Sequence, residues 1–100
     1  MNYFFHPLAK EEFIEAINYY ENCHPGLGLD FSKEIHSTIQ RITHFPHAGF
    51  EFSDNTRRSL TKRFPFGVIY QFSEEKNEII ILAIMQLNRN PNYWKHRTNE

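Results

Sequence analysis

Apolar residues recur with helical spacing in the first half of the chain and with strand spacing in the second. Ala9, Phe13, Ala16/Ile17 and Tyr20 lie three or four apart and line one face of a helix. Pro7 opens that helix, because its missing N–H is not needed in a first turn. Glu11, Glu12 and Glu15 follow near the end of the helix that favours negative charge. His24-Pro25-Gly26-Leu27-Gly28 breaks the pattern with turn residues. A second stripe, Phe31, Ile35, Ile39, Ile42 and Phe45, predicts a helix that begins near Leu29 or Asp30, with Asp30 as N-cap, and ends at Pro46. The short connection makes the pair an antiparallel hairpin.

Asn2 to Phe5 is aromatic and reads as a short strand ahead of the hairpin. His47 to Thr56 is polar and reads as a loop. Strands follow. Arg57 to Lys62 is the first. Phe66, Val68, Tyr70 and Phe72 alternate with Gly67, Ile69, Gln71 and Ser73, the period of a second strand. Glu78 to Leu87 is nearly continuous in Ile and Leu, so it is expected to be a central strand buried on both faces. Pro91 to Arg97 reads as a short helix or an irregular tail. The order is β-α-α-β-β-β with a C-terminal tail. This is an α+β fold, an N-terminal strand and a helical hairpin on a three-stranded antiparallel meander.

One hundred residues make one domain, taken as residues 1–100, with room for one modest core. Ten Phe and five Tyr supply large buried areas to a small chain. The net charge of −1 hides an asymmetry. Met1 to Thr56 holds three basic and eight acidic residues, and Arg57 to Arg97 holds eight basic and three acidic ones. Such a split points to a face for an anionic partner, or to two halves that neutralise each other. The single cysteine, Cys23, excludes an intrachain disulfide and suits a reducing compartment. Placed at the end of the first helix's apolar side, it reads as a buried inert thiol. The chain opens without a secretory signal pattern, so a cytoplasmic location is expected.

Metal and cofactor chemistry find little support. The histidines lack zinc-ligand spacing, and the glycines form no phosphate loop. No metal, cofactor or membrane partner is expected.

The informative stretch is Arg57-Arg58-Ser59-Leu60-Thr61-Lys62-Arg63-Phe64-Pro65-Phe66, with four cations in seven residues beside aromatics. On a strand, Arg58, Leu60 and Lys62 share one face, and Arg57 and Arg63 the other. Cations with aromatics can hold phosphates and stack on bases. Equally, Arg and Lys can protect an edge strand from aggregation. A second stretch, Gln86 to Arg97, leaves a buried strand and ends basic and aromatic. Such a tail can pack Tyr93 and Trp94 onto the sheet, which is the expectation for Trp94, while Arg89 can serve packing or binding.

At these two stretches the chain resembles the RelE/ParE toxin superfamily. The resemblance rests on Arg57-Arg58, then Lys62-Arg63-Phe64-Pro65-Phe66, then Val68-Ile69-Tyr70. It continues through Ile79 to Met85, Arg89, Pro91, Tyr93 and Trp94. Pro7-Leu8-Ala9, the Tyr19-Tyr20 pair and Gly26-Leu27-Gly28 with Phe31 look like the family's helical hairpin. The resemblance implies the toxin of a type II toxin–antitoxin system, of plasmid-stabilisation or stress-response type. It implies a cognate antitoxin that silences the toxin, and operator DNA contacted only through that antitoxin.

The superfamily divides over its target. RelE-like members cut mRNA on the ribosome, and ParE-like members inhibit DNA gyrase. A nuclease needs a base, stabilised phosphorane charge and a proton donor. The candidates are Arg58, Lys62, Arg63 and Arg89 for charge, and Tyr93 for the proton. Where several family nucleases carry a His, this chain has Gln86, which cannot exchange a proton near neutrality. His96 could replace it only if the tail folds back. A gyrase inhibitor needs only a binding surface, for which Arg57, Arg58, Arg63, Gln86 and Arg89 are the candidates. The long hairpin and its Tyr pair resemble the ParE side, so a non-catalytic gyrase inhibitor is the expectation. The alternatives are a ribosome-dependent mRNA endonuclease, and an antitoxin-binding module without toxicity.

Overall fold

In the computed structural model, which describes residues 1–53 and 56–98, a five-stranded sheet carries the helical hairpin on one face and the C-terminal tail on the other. The elements are β1 (Asn2–Phe5), α1 (Pro7–Cys23), α2 (Leu27–His44), β2 (Phe50–Ser53), β3 (Thr56–Leu60), β4 (Phe66–Ser73) and β5 (Glu78–Gln86), followed by a 3₁₀ turn at Lys95–Arg97. The strand order is β1-β5-β4-β3-β2. The β2-β3-β4-β5 run is antiparallel, and β1 joins β5 in parallel. The α+β class and the hairpin-then-meander order are as expected. The meander gains one strand, β2, inside the stretch read as a loop. Phe50 and Phe52, two residues apart, are its signal.

Helix α1 starts where expected, with Pro7 in its first turn and the His6 ring accepting from Leu8 N–H at 3.1 Å. Its first turn carries no acidic residue. Helix α2 starts earlier than the sequence suggested. Gly26, at φ +90°, is its cap, and the Asp30 expected there lies in the first turn. The capping carboxylate comes from α1 instead: Glu21 accepts from Gly26 N–H at 3.0 Å and from Gly28 N–H at 3.1 Å. Gly28 also allows the helices to touch, since a Cβ there would fall 2.6 Å from the Ile17 carbonyl oxygen. The α2 stripe is buried from Phe31 to Ile42, but Phe45 caps the helix and is exposed. Cys23, expected to be buried, is exposed, because α1's apolar face ends near Tyr20.

The sheet separates two apolar layers. Phe66, Val68, Tyr70 and Phe72 of β4 face the helices, and Ile69 faces away with Leu82, Ala83, Met85 and Trp94. Trp94 is buried on the sheet, as expected for the tail. Strand β5 holds a bulge. Ile69 pairs with Ala83 and Tyr70 with Ile81, which leaves Leu82 as the extra residue. Leu82 and Ala83 therefore share the tail side, and the alternation shifts by one. Ile81 and Ile84 both face the helices, and Gln86 follows Ile84 onto that side, where both line a cleft beside α1.

The turn between β3 and β4 is tied to the hairpin. Phe64 lies 4.9 Å from Tyr20 and 5.1 Å from Phe31, ring centre to ring centre, and Phe66 lies 4.9 Å from Phe31. The Thr61 hydroxyl donates to the Phe64 carbonyl at 2.7 Å, and Arg41 donates to the Leu60 carbonyl at 2.9 Å.

Leu82 is 1% exposed and packs against Trp94 and Met85 on the tail side. Leu82→Ala is expected to cost about 2–5 kcal/mol, because it opens a cavity the rigid strand cannot collapse. Urea denaturation should show the loss as a lower midpoint at unchanged slope.

Candidate functional site

The cationic candidates do not form one patch. Arg57 faces the helix side of β3 and serves structure. Its guanidinium donates to the His47 and Gly49 carbonyls, both at 3.0 Å, and lies 3.6 Å from Glu51. It ties the α2–β2 connection to the sheet. Arg58 lies on the opposite face, as the strand period required. It stacks 5.4 Å from Phe50 and 5.7 Å from Phe52. Gly67 leaves room for its stem, since a Cβ there would lie 3.1 Å from Arg58 Cγ. The aromatic signal at β2 therefore serves an arginine, through cation–π contact.

Lys62 and Arg63 lie in the β3–β4 turn, beyond the end of β3, so the strand alternation does not place them. Lys62 is exposed, and its backbone N–H donates to Glu34 at 2.6 Å. Arg63 is exposed, 3.7 Å from Asp30 and 5.2 Å from the Phe64 ring.

Arg89 and Gln86 come together at a cleft of about 390 Å³ between α1 and the ends of β4 and β5. Its floor is Ala16, Tyr20, Phe66 and Ile84, and Glu12, Glu15, Tyr19, Gln86 and Arg89 complete the lining. Arg89 lies over Tyr93, its Cζ 3.8 Å from the ring centre, and Arg97 approaches the same ring at 5.1 Å. Two guanidiniums thus lie against the Tyr93 ring, and its hydroxyl is buried beside Glu12.

Below this stack is a carboxylate that the sequence reading passed over. Glu12 accepts from Arg97 at 3.0 and 3.1 Å, from Ile84 N–H at 3.0 Å, and stands 3.7 Å from Arg89. Arg97 also donates to the Leu82 carbonyl at 2.9 Å. The reason is the brevity of β1. Its pairing with β5 ends at Phe5 and Ile81, and His6 N–H takes the Ile81 carbonyl. Beyond that point side chains satisfy the Leu82 carbonyl and the Ile84 N–H, which would otherwise be costly to bury. The i, i+3, i+7 spacing of Glu12, Glu15 and Tyr19 on one face of α1 was the sequence signal for this wall of the cleft.

Burial pushes the Tyr93 phenol well above the ordinary tyrosine range, and the Glu12 charge adds to the shift, against the two arginines. Burial also raises Tyr20 and Tyr70. The tail does fold back across the sheet, but His96 is exposed. Among the described residues, no group of three or more His, Cys, Asp or Glu could hold a metal ion, and no helix is long and apolar enough to cross a membrane.

The family model for the ParE toxin of the type II toxin–antitoxin system parDE matches residues 3–91. The chain belongs to the ParE toxin family. Among solved structures it is similar to a chain of a chromosomal ParDE toxin–antitoxin system from P. aeruginosa. That likeness has a TM-score of 0.74 at 17% identity over 88% of this chain and 97% of the other. At that identity the likeness is one of fold. No curated protein gives a significant match. As a member of this family the protein is a type II toxin, and its counterpart is a cognate antitoxin. The matched span holds Glu12, Gln86 and Arg89, and it ends before Tyr93 and Arg97.

Two outcomes follow for this cluster. Glu12→Ala strands the Arg97 charge, whose side chain is only 7% exposed, and should cost about 3–5 kcal/mol in thermal or urea unfolding. Tyr93 keeps its proton in the native state while the unfolded chain releases it near pH 10. Its stabilising contribution is therefore complete below about pH 10 and is lost as pH climbs toward the native value. Unfolding between about pH 9 and 11 should show stability falling with pH, and less steeply in Tyr93→Phe.

Proposed function

We propose that this toxin arrests growth by binding DNA gyrase, without cleaving nucleic acid, and that its antitoxin silences it by covering the same molecule. The observation that carries the reading is the state of the groups around the cleft. An RNA-cleaving site needs a group that takes a proton and one that gives it. Gln86, at the end of β5, does neither. Tyr93 has the chemistry of a donor, but its hydroxyl is buried and its pKa is raised, which makes proton release harder. The nearest carboxylate, Glu12, already accepts from Arg97 and Ile84. What the cleft offers outward is a half-exposed guanidinium, an amide, the Tyr19 ring, 64% exposed, and the Glu15 carboxylate, which stands on α1 without a paired proton donor among the described residues to make an acid–base couple. These are groups for binding. Arg89 and Gln86 are the target-facing residues in this reading, with Arg63 and Lys62 on the neighbouring turn and Arg58 on the sheet's other face.

The antitoxin has an apolar surface to use. Phe4, Phe5, Phe13, Ile14 and Ile17 line a groove beside α1, with Phe4 51% and Ile14 48% exposed. An amphipathic segment laid there would bury these side chains. The solved structure of similar fold is part of a ParDE toxin–antitoxin system, in keeping with that partner.

Purified protein should inhibit supercoiling by gyrase and leave mRNA intact in a reconstituted bacterial translation reaction mapped by primer extension. Arg89→Ala should relieve the inhibition by about tenfold or more, the worth of one charge-assisted hydrogen bond. Discrete cuts at codons in the ribosomal A site, with gyrase unaffected, would make the protein a ribosome-dependent nuclease instead. Antitoxin binding with neither activity would leave only an interaction module.

A further inference from the structure

Two guanidiniums face one largely buried carboxylate, its side chain 13% exposed. Arg97 holds Glu12 through both of its terminal nitrogens, at 3.1 Å to Oε1 and 3.0 Å to Oε2. Arg89 Nη1 stands 3.7 Å from the same Oε2. The Arg97 side chain is 7% exposed and the Arg89 side chain 51%. The winner of this competition is fixed by the backbone. Arg97 gains a third anchor in the Leu82 carbonyl, which the β5 bulge leaves outside the ladder with β4. Arg89 has no such anchor among the described residues, and rests on the Tyr93 ring.

We infer that Arg97 is a positioning residue for Arg89. By filling the Glu12 carboxylate with a paired, bidentate contact, it holds Arg89 at the cleft rim, beyond hydrogen-bonding distance of Glu12 and able to turn its N–H groups to an anionic group on the target. The anion is a phosphate or a carboxylate, either of which the planar fork accepts. With Arg97 removed, Glu12 is a largely buried charge without its main partner, a costly state. Arg89 relieves it by closing the short gap to hydrogen-bonding distance. Its donors then point inward and are lost to the target. Toxicity would thus depend on a residue that never touches the target. The inference rests on the proposed contact between Arg89 and the target, and the experiment separates the two.

The variants are Arg97→Met, which keeps much of the stem against Tyr93 and removes the charge, and Glu12→Gln/Arg97→Met. The double variant keeps an amide oxygen for Ile84 N–H but has no charge to draw Arg89 in. Arg89→Ala is the control. Folding is checked by circular dichroism at the assay temperature, and potency is taken per folded molecule. Two readouts are used: growth arrest under graded induction, and the rate at which phenylglyoxal modifies Arg89, followed by mass spectrometry of the purified protein. Arg97→Met should lose about tenfold in potency and slow Arg89 modification several-fold. The double variant should recover both. A merely structural role for Arg97 predicts the opposite, since the double variant would be no better than the single one. Unchanged Arg89 modification in Arg97→Met, or failure of the folded double variant to recover it, overturns the inference. If Arg89→Ala arrests growth as well as the parent, the proposed target contact fails, and the modification rates still decide the positioning role.

Discussion

Strand β5 is buried on both faces, yet its neighbour β1 is only four residues long. Everything at the functional end of the molecule follows from the backbone that β1 leaves uncovered. Past Ile81, the Leu82 carbonyl and the Ile84 N–H need partners in a place where water is scarce. Glu12 from α1 and Arg97 from the tail supply them, and bond to each other. One ion pair thus finishes the sheet, fixes α1 against it and draws the C-terminal tail across its open face. The tail's aromatic load follows: Trp94 closes the second apolar layer over Leu82 and Met85, and Tyr93 lies against both Arg89 and Arg97.

The first apolar layer is stabilised differently. Phe31, Phe64, Phe66 and Tyr20 meet edge to face at the junction of the hairpin and the β3–β4 turn. Edge-to-face contact adds a directional preference to ordinary burial. The turn's cations are therefore carried on a rigid support. The Phe-Pro-Phe segment serves packing, and Arg63 beside it is held outward against Asp30.

The cations consequently do different work. Arg57 is consumed by carbonyls, Arg97 by Glu12, and Arg58 lies against Phe50 and Phe52. Arg89, Lys62 and Arg63 are left facing solvent at one end of the sheet. Lys76 and Lys95 are exposed elsewhere, so the positive charge of the second half is divided among several places and only part of it is presented at this end. A binding surface assembled this way is small, and its geometry is set by buried partners.

Helices, strand periods and the buried central strand were legible because each depends on local spacing. The stripes Ala9 to Tyr20 and Phe31 to Ile42 and the alternation of β4 encode which face is dry, whatever lies opposite. Arg58 and Arg57 fell on opposite faces for the same reason. Tertiary structure alone decided the rest. The bulge at Leu82 is invisible in a continuous aliphatic run, since every residue there is apolar, yet it turns Gln86 toward the cleft. The cap of α2 came from Glu21, a residue of the other helix, and not from Asp30. Glu12 and Arg97 are 85 positions apart, and each alone reads as an ordinary surface charge. A charge's partner is set by where the chain crosses itself, and spacing along the sequence carries no record of that.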